Sequence, residues 1–218
     1  MSLEKKNFLI TTPESDDVLY CCSKWSENII EAARGSGFQV TNLQGEKAGR
    51  KNFEGHVRKQ NPIFVMFNGH GMQDYVAGHD DEVLLRKGEN EILVSGKVVY
   101  ARSCYSLSEL GEACTNSGTI AFVGYSLPFS FISDPTRSAN PLKDKLATPC
   151  MVTSNMIPIS IIKGQQIVEA VEKAKKEMEK LIGEYQTRTD VIEAPFIASC
   201  LHWNKLALGF DGDGNAKL

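Results

Sequence analysis

The sequence predicts an α/β fold with a mostly parallel central sheet and helices on both faces. Three observations lead there. Short apolar runs alternate with amphipathic stretches along most of the chain, the pattern of parallel strands joined by right-handed helical crossovers. The run Ile63-Phe64-Val65-Met66-Phe67 is apolar without alternation, as expected of a strand buried on both faces. Of the 218 residues, 42% are apolar and 23% charged, enough for one domain over residues 1–218 with a sizeable core and no stapling.

Asn7 to Thr12 reads as the first strand, stopped by Pro13, and the acidic cluster Glu14-Ser15-Asp16-Asp17 then suits a helix start. From Val18 to about Ala33 the residues Leu19, Cys22, Trp25, Ile29, Ile30 and Ala33 recur at three- and four-residue steps. One helix is predicted there, ended by Gly35 and Gly37. Phe38 to Leu43 is a second strand, Lys47 to Gln60 a weaker amphipathic stretch, and Ile63 to Phe67 the third strand. Glu82 to Leu85 and Ile92 to Val94, around the turn Lys87-Gly88-Glu89-Asn90, read as a small β-hairpin insertion outside the main sheet. Lys97 to Ala101 is a fourth strand, Leu107 to Cys114 a short helix, and Thr119 to Val123 a fifth strand. Ser126 to Pro149, rich in Ser, Pro and Asp, reads as a long loop with a short helix around Leu142 to Leu146. Cys150 reads as a small buried residue beside an apolar strand. Lys163 to about Tyr185 is a long helix with Ile167, Val168, Val171, Ala174, Met178 and Leu181 on its apolar face. The tail from Ile197 to Phe210 holds two short apolar runs around Asn204-Lys205. Asp211-Gly212-Asp213-Gly214 closes as a turn, since the chain lacks the Glu that a calcium loop carries at its twelfth position.

Composition excludes several function classes. A net charge of −3 gives no basic stripe for a nucleic acid. The six cysteines (Cys21, Cys22, Cys104, Cys114, Cys150, Cys200) contain no CxxC pair, so they read as reduced thiols in a cytoplasmic protein rather than a zinc cluster or a disulfide frame. Met1-Ser2-Leu3, followed by Glu4-Lys5-Lys6, has no apolar signal core, and no stretch approaches ~18 apolar residues, so no membrane association is expected. No GxGxxG or Walker A loop follows the first strand, which disfavours a dinucleotide or nucleotide fold. A nucleophile elbow would need Gly two residues either side of Cys104, where Arg102 and Ser106 stand.

In an open parallel sheet, ligands bind beyond the carboxyl ends of the strands. The third strand delivers Asn68-Gly69-His70-Gly71 there, and the fourth delivers Ala101-Arg102-Ser103-Cys104-Tyr105. If those strands are neighbours, an imidazole and a thiol meet across one sheet edge. A thiol with a pKa near ~8.5 needs such a base, or a helix N-terminus, to supply thiolate at neutral pH. The N–H groups of Gly71 and Cys104 are the expected oxyanion donors. No metal or cofactor is expected.

A buried strand ending in His-Gly, followed later by a strand ending in a small-residue segment and Cys, resembles the pattern of the caspase-like cysteine peptidases. That group includes caspases, gingipains, clostripain, separase and the CHAT domains. The order strand, His70-Gly71, hairpin, strand, Cys104, helix, strand agrees over about Pro62 to Gly124, and Gly118-Thr119-Ile120-Ala121-Phe122-Val123-Gly124 is similar to the following strand in the gingipain and CHAT branches. The resemblance implies a three-layer caspase-like sandwich and an endopeptidase acting through a thioester acyl-enzyme. In it Cys104 is the nucleophile and His70 the general acid and base, with no third member required and a peptide or protein as substrate. The sequence departs from the pattern at Ser103, where many relatives carry Ala, and has no QAC signature. The alternative is a catalytically inactive domain of the same fold, acting as a protein-interaction or regulatory module.

Other polar residues have plainer readings. Asp134 in the Ser126 to Asn140 loop could select a basic substrate residue and Arg137 an acidic one, or both are solvated loop charges. His56 and His202 read as ordinary surface or packed residues, and His79-Asp80-Asp81 as a polar hairpin edge rather than a metal site. Trp25 and Trp203 read as core anchors, and Cys114 as a buried small hydrophobe.

Overall fold

The computed structural model describes residues 6–218; the reading of the first five lies outside them. Asn7–Thr12 forms β1, and Asp17–Trp25 and Glu27–Gly35 form α1 and α2. β2 (Gln39–Gln44), α3 (Arg50–Gln60) and β3 (Phe64–Asn68) follow. Next come β4 (Tyr75–Ala77), β5 (Val83–Arg86), β6 (Val98–Arg102), α4 (Leu110–Asn116) and β7 (Ala121–Tyr125). The C-terminal part is helical until its last strand: α5 (Thr148–Ile162), α6 (Ile167–Thr187), α7 (Ala194–Ala207) and β8 (Leu208–Gly212).

The main sheet has the order β2-β1-β3-β6-β7-β8, parallel except for β8, which returns antiparallel along β7. Strand periodicity divides the core into two layers. Phe8, Ile10, Phe64, Met66, Val98, Tyr100 and Val123 face α2, α5, α6 and α7; Leu9, Val65, Phe67, Val99 and Phe122 face α3, α4 and the β4-β5 ribbon. Phe8 and Phe64, register partners on β1 and β3, stack at 4.8 Å between centroids. No helix among the described residues is long and apolar enough to cross a membrane.

Five readings need correction. The first helix is two, broken at Ser26, whose hydroxyl donates to Cys22 O at 2.9 Å and whose own backbone starts the next helix. The hairpin pairs β5 with β4, while Glu91–Val94 is a 3-10 turn with Ile92 exposed, because Asn90 folds its side chain back onto Arg86 N–H and Leu84 O. Cys150 lies not beside a strand but in α5, whose residues are apolar on nearly every side and which carries Pro149 in its first turn. The two apolar runs of the tail are one helix, α7, followed by β8. Trp203 keeps 41% of its surface exposed and is no core anchor, whereas Trp25 is buried.

Candidate active site

Asn68 and Arg102 are register partners at the carboxyl ends of neighbouring strands β3 and β6. The loops that follow therefore leave the sheet side by side, one carrying His70-Gly71 and the other Ser103-Cys104. They touch at glycine. A Cβ at Gly71 would overlap Ser103 Oγ and lie 2.9 Å from Cys104 O, so only glycine lets the first loop lie on the second. Gly71 also bridges to Val76 at the start of the β4-β5 ribbon, with Ala77 N–H donating to His70 O at 2.8 Å. The ribbon thus clamps the imidazole's backbone from behind.

Cys104 sits in a turn, six residues before α4 begins at Leu110, so no helix N-terminus addresses its thiol. Tyr105, next to it, has φ 56°, a left-handed conformation that side-chain-bearing residues rarely hold without support. The support is Tyr105 N–H donating to Leu127 O at 3.4 Å. Burial pushes the Cys104 thiol above the ordinary cysteine range, and the N–H groups of Phe129 and of Cys104 itself oppose that rise. Among the described residues no acceptor takes the Gly71 N–H.

Sequence reasoning missed Asp16. It caps α1, with Oδ1 accepting from Leu19 N–H at 2.8 Å, and its Oδ2 lies 2.8 Å from His70 Nε2. Burial raises the Asp16 pKa, but the Leu19 N–H and the His70 imidazole outweigh it and hold the carboxyl below its usual range. An ionised carboxylate only accepts, so Nε2 carries the proton and Nδ1 is left as the basic nitrogen. His70 and Cys104 are not hydrogen-bonded to each other here; the imidazole's partner is Asp16. The signal for Asp16 was present only as a cap residue after the first strand.

Beneath the site, Arg102 is buried and its acceptors are all neutral. It reaches Asn68 Oδ1 (2.9 Å from Nε and 2.8 Å from Nη2), Asn155 Oδ1 (2.8 Å), Ser26 Oγ (2.7 Å) and Cys22 O (3.1 Å). Asp134 caps a 3-10 turn through Thr136 N–H and lies 4.0 Å from Arg137, so the two candidate selectors largely answer each other. Both line a cavity of about 140 Å³ with Asp17, Val18, Phe131 and Asp144. The Asp144 carboxylate there is committed to the N–H groups of Asp134, Leu146 and Ala147. His79 accepts from Glu14 N–H at 3.3 Å and has Asp80 at 3.8 Å, while His56 bonds to Gln60 on α3.

No family model matches the sequence, and no curated protein matches it. Among solved structures it is similar to gingipain R, described as an Arg-specific cysteine proteinase, with a TM-score of 0.63 at 10% identity over 98% of this chain. The chain spans about half the length of that structure, 47% of it. At this identity the likeness shows the fold: a caspase-like α/β sandwich, with a mostly parallel six-stranded sheet between layers of helices.

Proposed function

We propose that this chain, taken as one peptidase domain, is a cysteine endopeptidase with Cys104 as nucleophile, His70 as general base and acid, and Asp16 as the residue that orients the imidazole. The observation that carries the reading is the contact of the His70-Gly71 loop with the Ser103-Cys104 turn at the ends of two adjacent parallel strands. Nδ1 of His70 takes the Cys104 proton as the sulfur attacks the carbonyl carbon of the scissile bond. The C–S bond forms and the carbonyl π electrons move to oxygen, where Gly71 N–H and Cys104 N–H donate to the oxyanion. As the tetrahedral centre collapses, the C–N bond breaks and the amine leaves with the proton from Nδ1. Water, deprotonated by the same nitrogen, then hydrolyses the thioester and restores the thiol.

The cavity beside α1 is where the side chain preceding the scissile bond would enter. It holds three carboxylates (Asp17, Asp134, Asp144) against one guanidinium, Arg137, which favours a basic side chain. Gingipain R, to which the fold is similar, is described as specific for arginine.

Two observations favour the inactive alternative: burial raises the Cys104 pKa, and Asp16 rather than the thiol holds His70. Intact-mass labelling with dilute iodoacetamide at neutral pH, followed by mapping of the adduct, separates the two readings. A fast single adduct on Cys104 that slows at least tenfold in His70→Ala is expected of the peptidase. Labelling of Cys104 that is absent, or equal with and without His70, overturns it in favour of the regulatory module. A peptide-library digest would then read the preferred residue.

A further inference from the structure

We propose that Asn204, with Trp203 beside it, is a positioning residue: from α7 it holds the chain after β7 in the extended form against which the Cys104 turn is seated. This rests on Cys104 being the nucleophile. Between Ser126 and Asp134 the chain belongs to no helix and no strand ladder, so its shape must be imposed from outside. α7 imposes it at alternate residues. Ser126 N–H donates to Ala207 O at 2.8 Å, Trp203 Nε1–H donates to Pro128 O at 2.8 Å, and Asn204 takes both main-chain groups of Ser130. Asn204 Oδ1 accepts from Ser130 N–H at 2.9 Å and Nδ2 donates to Ser130 O at 2.7 Å, as a neighbouring strand would.

The residues between these anchors turn the other way, as the two-residue period of an extended chain requires. Leu127, between two of them, turns its carbonyl to the nucleophile turn and accepts from Tyr105 N–H at 3.4 Å. Ser126 serves both sides, its carbonyl also accepting from Ser108 Oγ at 3.2 Å. The segment is therefore a single extended ribbon between α7 and the nucleophile turn. It supports Tyr105, the residue next to Cys104, in its left-handed conformation. Asn204 is fully buried, so no water can replace its amide at Ser130.

The test is the pH profile of Cys104 alkylation by iodoacetamide, read by peptide mass, in wild type, Asn204→Asp, Trp203→Phe and Leu206→Ala. Asn204→Asp keeps the acceptor and loses the donor; Trp203→Phe keeps an aromatic ring and loses the bond to Pro128. Leu206 is exposed on the same helix and is the control. Release of the ribbon frees Leu127 O from Tyr105 N–H and unseats the nucleophile turn, so both clamp variants are expected to label about three- to tenfold more slowly at pH 7 and to shift the profile upward. Leu206→Ala should match wild type. Trp203→Phe should keep its thermal midpoint within about 2 °C of wild type, so that it carries the test if Asn204→Asp does not fold. Unshifted profiles in the clamp variants, with labelling still dependent on His70, overturn the clamp and leave the nucleophile standing. Labelling independent of His70 in wild type overturns both.

Discussion

Asp16 Oδ2 lies 2.8 Å from His70 Nε2, joining the N-cap of α1 to the loop after β3 across 54 positions of sequence. The contact decides which imidazole nitrogen is basic. An asparagine at 16 that turns its NH2 to His70 would favour the tautomer with its proton on Nδ1, the nitrogen that takes the Cys104 proton in the proposed mechanism. Asp16→Asn is expected to lower peptidase kcat by about 10²- to 10⁴-fold. Asparagine caps a helix as well as aspartate does, so α1 should hold and the unfolding midpoint should fall only slightly. Peptide hydrolysis and circular dichroism on the one sample check this; unchanged kcat would remove Asp16 from the machinery.

The same carboxylate makes stability depend on pH. Its folded pKa is below its unfolded value, so its contribution is present above the ordinary aspartate pKa, about 3.9, and is lost as pH falls through the lower folded pKa. The stability difference between wild type and Asp16→Asn, measured by urea unfolding, should therefore shrink from pH 5 to pH 2.5. A difference that stays constant would mean the carboxyl is not held low. Because both side chains are near two-fifths exposed, solvent screening keeps the effect small.

Cysteine reactivity should be ordered by burial. Burial pushes Cys21 up to about 12 and Cys22, Cys114 and Cys150 upward as well, all four being closed to solvent. Only Cys104 and Cys200 are partly open, and burial raises Cys200 without the backbone donors that oppose it at Cys104. Limited alkylation at pH 7 is expected to label Cys104 first, Cys200 more slowly and the other four only on unfolding. Early labelling of Cys114 or Cys150 would show that the packing around α4 or α5 opens.

Much of this architecture was legible because strands of a parallel sheet announce themselves. Asn7 to Thr12 and Ile63 to Phe67 were bounded by Pro13 and Pro62, and the His-Gly and Cys positions followed from strand ends. What escaped had no local signal. α5 is apolar on nearly all sides, so helical periodicity is invisible in it and it reads as strand. β4 is three residues long, too short to stand out, yet it takes the partner position assigned to Ile92 to Val94. Asn204 split α7 into two apolar runs on paper because a polar residue in the core is unexpected until its backbone partner, Ser130, is known. Asp16 was recognisable as a cap but not as a histidine partner, since that role depends on a tertiary contact alone.

Arg102 offers the sharpest test of the scaffold. A guanidinium buried among neutral acceptors carries a desolvation cost that only its fixed fork of donors offsets. Arg102→Met removes the charge but takes from Asn155 Oδ1 its donor and from Asn68 Oδ1 its two short ones, and should cost about 3–5 kcal/mol in urea unfolding. Arg102→Lys keeps a buried charge, with three donors on a flexible stem that cannot span β3, α5 and the Ser26 break together. It should therefore destabilise at least as much as methionine does. A near-neutral lysine variant would mean that charge, not the fork, matters at this position. The fork also fixes where α1 ends, through Cys22 and Ser26, and α1 carries Asp16 at its other end. Both variants are thus expected to weaken the Asp16–His70 contact, seen as a lower peptidase kcat even under conditions where the protein remains folded.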